Sequence, residues 1–207
     1  MWGMRLYLAR GTISIAVAIA LEEAGLDYAP ELVDFSSAAQ TRPAYLAINP
    51  KGRVPSLITP DGVLTETGAI LEYIAALAPE AQLIPKPAFE AAKMREVMYF
   101  IASTLHVNHA HKMRGHRWAD QEASFADMRA KVPQTMRAAC AYLEVEAMRG
   151  PFVLGERVSL ADAYLFVACT WLAGDEVDVT GFPKLYAFMA AMEGRASVRA
   201  VRARGWL

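Results

Sequence analysis

The sequence predicts two domains: an α/β domain at the amino-terminal end and an all-helical domain after it. Three observations lead there. Short apolar runs over residues 5–9, 29–34, 56–59 and 63–65 alternate with helical patterns up to about residue 78, whereas no strand pattern follows. A segment with three prolines, APEAQLIPKPA over residues 78–88, separates the two regimes as a linker. Charge also divides: residues 1–80 carry five basic and nine acidic side chains, and the remainder carries the excess of base. The expected division is 1–78, a linker at 79–87, and a helical domain at 88–207.

In the first part, RLYLA reads as a strand broken by Gly11, and residues 14–24 as a helix stopped by Gly25. APELVD is a second strand, and residues 41–47 a short helix. Ser56–Thr59 and Val63–Thr65 flank Asp61-Gly62, a strong hairpin signal. Thr67–Leu77 follows with Ile70, Leu71, Ile74 and Leu77 at helical spacing. The order β-α-β-α-β-β-α implies one parallel pair, one antiparallel pair, and a mixed four-stranded sheet with helices on its faces. The second part reads as helices near 88–113, 121–148, 159–173 and 182–193, with a short one near 195–201. Pro133 predicts a kink.

The chain of 207 residues is 55% apolar and has a net charge of -1. That balance suits neither nucleic-acid binding nor disorder. Cys140 and Cys169 lie in apolar stretches and read as reduced core thiols of a cytoplasmic protein. MWGMRLYLARG lacks the pattern of a signal peptide. The longest apolar run, Ile13–Leu21 broken by Ser14, falls short of the ~20 residues of a membrane span. No nucleic-acid or membrane partner is expected.

Two motifs carry possible chemistry. In GRVPSL, Pro55 opens a strand without a ladder donor. A cis Val54–Pro55 bond would turn the N–H and C=O of Val54 outward to pair with a peptide ligand; the alternative is an ordinary trans edge proline. In LTETGAI, Thr67 reads as the N-cap of its helix and a carboxylate site, with Glu66 beside it for an ammonium group. Together they suit an amino-acid head. The alternative is a plain capped helix. Ser159 and Asp162 in VSLADAYLF read as a capping box before a buried helix.

NPKGRVPSLITPDGVLTETGAILEYIA resembles the glutathione-binding core of the cytosolic glutathione transferases, and the likeness runs from RLYLARGTIS through VSLADAYLF. It is nearest the bacterial beta-class type. The resemblance implies a thioredoxin-like amino-terminal domain, glutathione as co-substrate with no permanently bound cofactor, and a homodimer. It implies that Val54, after a cis bond to Pro55, pairs with the cysteinyl backbone of glutathione. Glu66 and Thr67 would hold the γ-glutamyl head, and Arg53 would contribute to the same site. The residue that activates the thiol is expected in the loop Ala9–Ser14. There the chain departs from the beta-class pattern, with Ile13 at the cysteine position and Leu8 at the tyrosine position. Thr12 and Ser14 are the remaining hydroxyls, so one of them is the expected thiol donor, the other reading being that both merely cap the first helix. Lowering a thiol from its free pKa near 8.5 by about two units takes about 2.7 kcal/mol, within reach of a charge-assisted hydrogen bond plus a helix dipole.

His106, His109, His111 and His116 lie in one stretch. Their spacing invites a metal site, but no cysteine and only Asp120 support one, and none is expected. His106 falls at the family's active-site histidine. The apolar side chains Tyr99, Phe100, Leu105, Met113 and Trp118 suggest a wall for a small apolar electrophile between the domains. Three functions are weighed: conjugation by an enzyme that stabilises the glutathione thiolate, as in detoxification; glutathione-dependent disulfide reduction; and binding of glutathione or an apolar ligand without turnover. With Ile13 in place of cysteine, a mixed disulfide at that position is excluded.

Overall fold

The computed structural model describes residues 3–207. The described residues divide into two compact units, one of residues 3–85 and 193–207, the other of residues 86–192. The break falls in the proline-rich stretch, but the last fifteen residues group with the first unit. The expected helical domain of 88–207 is therefore shortened at its carboxy-terminal end.

In the first unit, β1 (Met4–Leu8), β2 (Tyr28–Leu32), β3 (Ser56–Thr59) and β4 (Gly62–Thr65) form one sheet in the order β2-β1-β3-β4. β1 and β2 are parallel, joined by the helix α1 (Ser14–Ala24); the other pairs are antiparallel. α2 (Pro43–Leu46) is a single turn, and α3 (Thr67–Leu77) follows the hairpin. Leu6, Leu8 and Leu57 of the sheet are fully buried, as are Ile15, Val17, Ile19 and Leu21 of α1 and Ile70, Leu71 and Ile74 of α3. Every residue of α1 from Ser14 to Leu21 is buried, and all of them but Ser14 are apolar. Gly25, at φ 64°, ends it in a left-handed turn that costs glycine little.

The second unit contains α4 (Ala88–Phe100), α5 (His106–Arg114), α6 (Glu122–Tyr142), α7 (Leu160–Cys169) and α8 (Pro183–Glu193). A π-turn, Ile101–Leu105, splits the single helix expected over 88–113, and a second, Leu143–Ala147, extends α6. α6 runs through Pro133. α9 (Ala196–Ala203) belongs to the first unit. Among the described residues, no helix is long and apolar enough to cross a membrane.

All ten residues of α7 are buried, and its start is set by the capping box at Ser159 and Asp162. Asp162, fully buried, accepts from the Val153 N–H, the Ser159 N–H and the Ser159 hydroxyl, each at 2.7 Å. Burial raises its carboxyl to about 6 even though these donors favour the anion. Cys140 and Cys169 are free and buried. Burial pushes the Cys140 thiol up to about 12 and that of Cys169 well above its ordinary range.

Candidate functional site

Strand register brings three loops to one end of the first unit's sheet. Ser56 pairs with Tyr7 on one side and with Thr65 on the other. The loop leaving β1 after Leu8, the Val54–Pro55 step entering β3, and the Glu66–Thr67 step leaving β4 therefore share an edge. The candidate residues Thr12, Arg53, Val54, Pro55, Glu66 and Thr67 are spread along these loops.

The middle loop is tied down from within. Asn49, 1% exposed, donates its side-chain amide to the Arg53 carbonyl at 2.7 Å and to Ser56 Oγ at 3.1 Å, and its Oδ1 accepts the Lys51 N–H at 3.2 Å. The Tyr45 hydroxyl gives a second hydrogen bond to the Arg53 carbonyl at 2.7 Å. Gly52 turns at φ 61°, where a Cβ would lie 3.1 Å from the Gln40 carbonyl. The Val54–Pro55 peptide is cis. The β3 ladder starts at Ser56, so the N–H and C=O of Val54 lie outside it. Arg53 is exposed and Pro55 buried. Tyr45 and Asn49 were not singled out from the sequence; the asparagine at the head of the NPKG turn was the available signal. Asn49→Ala removes two donors and one acceptor from this loop. It is expected to cost about 1–3 kcal/mol of stability and to weaken glutathione binding, as read by a denaturant melt and by calorimetry.

At the third loop the N-cap assignment shifts by one residue. Glu66, at φ 74°, occupies the cap position, and Thr67 is the first residue of α3. A non-glycine residue in that region carries about 1–3 kcal/mol of strain, a feature that gathers at ligand sites. The first intrahelical bond is from the Ile70 N–H to the Glu66 carbonyl. The N–H groups of Thr67, Gly68 and Ala69 precede it at the positive end of the helix dipole. Thr67 is 6% exposed. The Glu66 carboxylate pairs through Oε1 with Lys51 Nζ, which also donates to Thr65 Oγ1 at 2.7 Å. Lys51 is thus a member of this loop cluster that the sequence pattern did not mark.

In the first loop, Ser14 is fully buried and its Oγ accepts the Ala9 N–H at 3.0 Å. Thr12 Oγ1 donates to the Ala9 carbonyl at 2.8 Å and lies 2.6 Å from Ser14 Oγ. Each hydroxyl has one proton. With Thr12 donating to Ala9, Ser14 donates to Thr12, and both protons stay within the loop. Ser14 braces the turn from inside; Thr12, half-buried, is the hydroxyl nearer the surface. Neither caps α1. Ile13, at its cap position, is 4% exposed.

The remaining candidates lie in the second unit. Tyr99, Met113 and Trp118 are exposed. Phe100 is half-buried, its ring 4.5 Å from that of Tyr142. Leu105 is fully buried in the helical core and offers no surface to a ligand, contrary to its expected place on a wall. His106 packs its ring 5.0 Å from Trp171. His109 stacks on the same tryptophan at 4.2 Å and places Nδ1 2.6 Å from the buried Asp175 carboxylate.

Comparison with known proteins gives this geometry a family. Residues 3–76 match the family model for the glutathione S-transferase amino-terminal domain, and residues 121–191 match the model for the carboxy-terminal domain. Glutathione S-transferase GstA of Escherichia coli O157:H7 is 31% identical over 199 residues, 95% of this chain and 96% of that protein. A crystal structure of a glutathione transferase homologue from Sulfitobacter with bound glutathione is 58% identical, with a TM-score of 0.99 over the whole of both chains. The ternary complex of BphK, a bacterial enzyme of the family, is 34% identical with a TM-score of 0.84, covering 97% of this chain and 99% of the other. Two family models on successive parts of the chain, and a relative that spans nearly all of it, establish that this protein belongs to the glutathione S-transferase family.

Proposed function

We propose that the protein is a glutathione transferase that lays glutathione across the shared end of its sheet, stabilises the thiolate, and conjugates it to a small apolar electrophile. The observation that carries the reading is the convergence of the three loops. β1, β3 and β4 are successive neighbours, so two gaps of about 4.8 Å separate the outer loops. That span is close to the length of an extended tripeptide. The helix start at Thr67, with its three N–H groups ahead of the first intrahelical bond, suits the γ-glutamyl carboxylate, and Glu66 suits its ammonium. The Val54 backbone edge suits the cysteinyl residue, with Arg53 beside it. The first loop receives the sulfur.

Thr12 is the residue assigned to the thiol in this reading. Its proton would pass from the Ala9 carbonyl to the sulfur, while Ser14 continues to hold the turn. Thr12→Val is nearly isosteric and removes that donor. The variant is expected to raise the apparent pKa of bound glutathione by about one to two units, measured by ultraviolet difference titration. An unchanged titration removes Thr12 from the role and leaves the helix dipole of α1 to hold the sulfur.

His106, and the exposed Tyr99, Met113 and Trp118, remain the candidates for contact with the second substrate. A homodimer and a cytoplasmic location complete the reading and rest on the family resemblance. The deciding experiment is glutathione affinity by calorimetry together with turnover on a panel of electrophiles. Absence of binding overturns the proposal. Binding without turnover, and with an unperturbed thiol, favours a second reading, a glutathione-binding protein without catalysis. The commitment of both loop hydroxyl protons to internal bonds is the observation on its side.

A further inference from the structure

The carboxy-terminal segment packs against α1, the helix that the first loop enters, and it is fastened at both ends of α9. At the start of α9, Arg195 forms a two-pronged pair with Glu23 of α1, Nη2 to Oε2 at 2.6 Å, and the Ser197 hydroxyl donates to Glu23 Oε1 at 2.5 Å. Burial pushes the Glu23 carboxyl up, but the Arg195 and Ser197 hydrogen bonds more than offset it and leave it below its ordinary value. After α9, Arg204 donates to Glu22 Oε1 at 2.6 Å and to the Tyr28 hydroxyl at 2.8 Å, and Tyr28 donates to the same carboxylate at 3.0 Å. The Arg204 guanidinium also lies 5.0 Å from the centre of the Trp206 ring, within cation–π range.

The end of α9 is a two-bond turn. The Gly205 N–H donates to the Arg202 carbonyl at 2.8 Å and the Trp206 N–H to the Val201 carbonyl at 3.2 Å, with Gly205 at φ 67°. This is the Schellman arrangement, and it fixes the chain direction after the helix. It buries the Trp206 ring, 4% exposed, and delivers the Trp206 carbonyl to the Gly11 N–H at 2.9 Å. Gly11 is exposed, sits at φ 64°, and lies between Ala9 and Thr12 in the first loop. A glycine at a loop tip has the widest conformational freedom of any residue, so a fixed acceptor on its N–H restricts the whole turn.

We propose that residues 193–207 are a positioning clamp for the Ala9–Ile13 loop, with Arg204 and Trp206 as positioning residues that hold the loop in its thiol-binding shape before glutathione arrives. The assignment of the thiol to this loop rests on the function proposed above. The clamp acts through Gly11 and touches no reacting atom. Its benefit is preorganisation: a loop already ordered loses less entropy on binding and presents its donor in register.

Two variants test this in the full-length protein. Gly205→Ala keeps every side chain but forces alanine into the left-handed region, where its Cβ meets nothing within 4 Å, so strain and not collision moves the Trp206 carbonyl. Arg204→Met cuts the tether to Glu22 and Tyr28 and keeps an apolar cover on Trp206. Amide hydrogen exchange at Gly11 without glutathione reads the clamp directly and is expected to speed up about tenfold or more in both. Ultraviolet titration reads the consequence: the apparent pKa of bound glutathione is expected to rise by about one unit, with kcat/KM falling in proportion. Helical circular dichroism, unchanged at the assay temperature, separates positioning from unfolding. Exchange at Gly11 unchanged in both variants overturns the clamp. Faster exchange with an unchanged thiol titration overturns the positioning role. If the native protein binds no glutathione, the proposed function fails, and the exchange experiment still decides whether the clamp orders the loop.

Discussion

Asp162→Ala is expected to cost about 3–5 kcal/mol of stability, the largest single-residue effect foreseen away from the site. The carboxylate is fully buried and satisfies two backbone N–H groups and one hydroxyl. Alanine leaves all three donors buried without an acceptor, and each such loss costs about 1–3 kcal/mol. It also removes the Asp162 half of the capping box at the start of α7, whose residues are all buried. Asp162→Asn keeps one acceptor oxygen but turns an amide N–H toward the same donors, so it is expected to lose about half as much. Both are read by denaturant melts at neutral pH. The pH dependence has a definite sign. Burial raises the folded-state carboxyl from an ordinary 3.8 to about 6, so the folded protein holds this proton more tightly than the unfolded chain. The resulting stabilisation is fully present below about pH 4 and is lost as the pH rises through about 6. Asp162→Asn should abolish that component. A melt series from pH 4 to 7 showing the same slope in the native protein and the asparagine variant would sink the assignment.

The features that local chemistry determines were legible in the sequence. Gly25 stops α1 and Ser159 with Asp162 starts α7, each through bonds within a few residues, and the hairpin forms where Asp61-Gly62 signals it, although the two-residue turn is Pro60-Asp61 and Gly62 already pairs with Thr59. What was not legible depends on partners distant in the chain. The affiliation of residues 193–207 is set by Arg195 with Glu23 and Arg204 with Glu22, pairs separated by more than 170 positions. Leu105 is apolar like the exposed residues of its stretch, and only packing within the helical unit shows that it lies in the core. The loop after Asn49 carried turn residues that announced a bend. Nothing local announced that the Asn49 side chain would hold the Arg53 carbonyl and Ser56 together. At the candidate site, the pattern named Glu66 and Thr67 but placed the cap one residue late. The left-handed conformation at Glu66 follows from the join of strand to helix, not from glutamate itself.

That join is where the largest effect on ligand binding is expected. Glu66→Gln and Thr67→Val should each weaken glutathione binding by about 1.5–3 kcal/mol, roughly ten- to hundredfold in Kd, with little change in melting temperature. The Glu66 carboxylate is engaged through Oε1 by Lys51. A carboxylate has two oxygens and about four acceptor directions, so an ammonium group can join through Oε2 without expelling Lys51. Glutamine keeps the shape and removes the charge that this ammonium needs. Glu66 is exposed and its ion pair with Lys51 is at the surface, where such pairs contribute about 0–1 kcal/mol; hence the small effect on stability. Thr67→Val acts on the other half of the head group. It keeps the β-branched volume at the first position of α3 and all of the helix N–H groups, but removes the hydroxyl that would accompany them on the carboxylate. Because the remaining N–H groups still face the ligand, the threonine variant is expected to lose less than the glutamate variant. Lys51→Met supplies the control: releasing Glu66 from its surface partner should leave glutathione affinity unchanged or slightly higher. Calorimetry of glutathione on the three variants decides the matter. If Glu66→Gln and Thr67→Val both bind as tightly as the native protein, the γ-glutamyl head lies elsewhere, and the tripeptide does not run across the end of the sheet in the direction assigned.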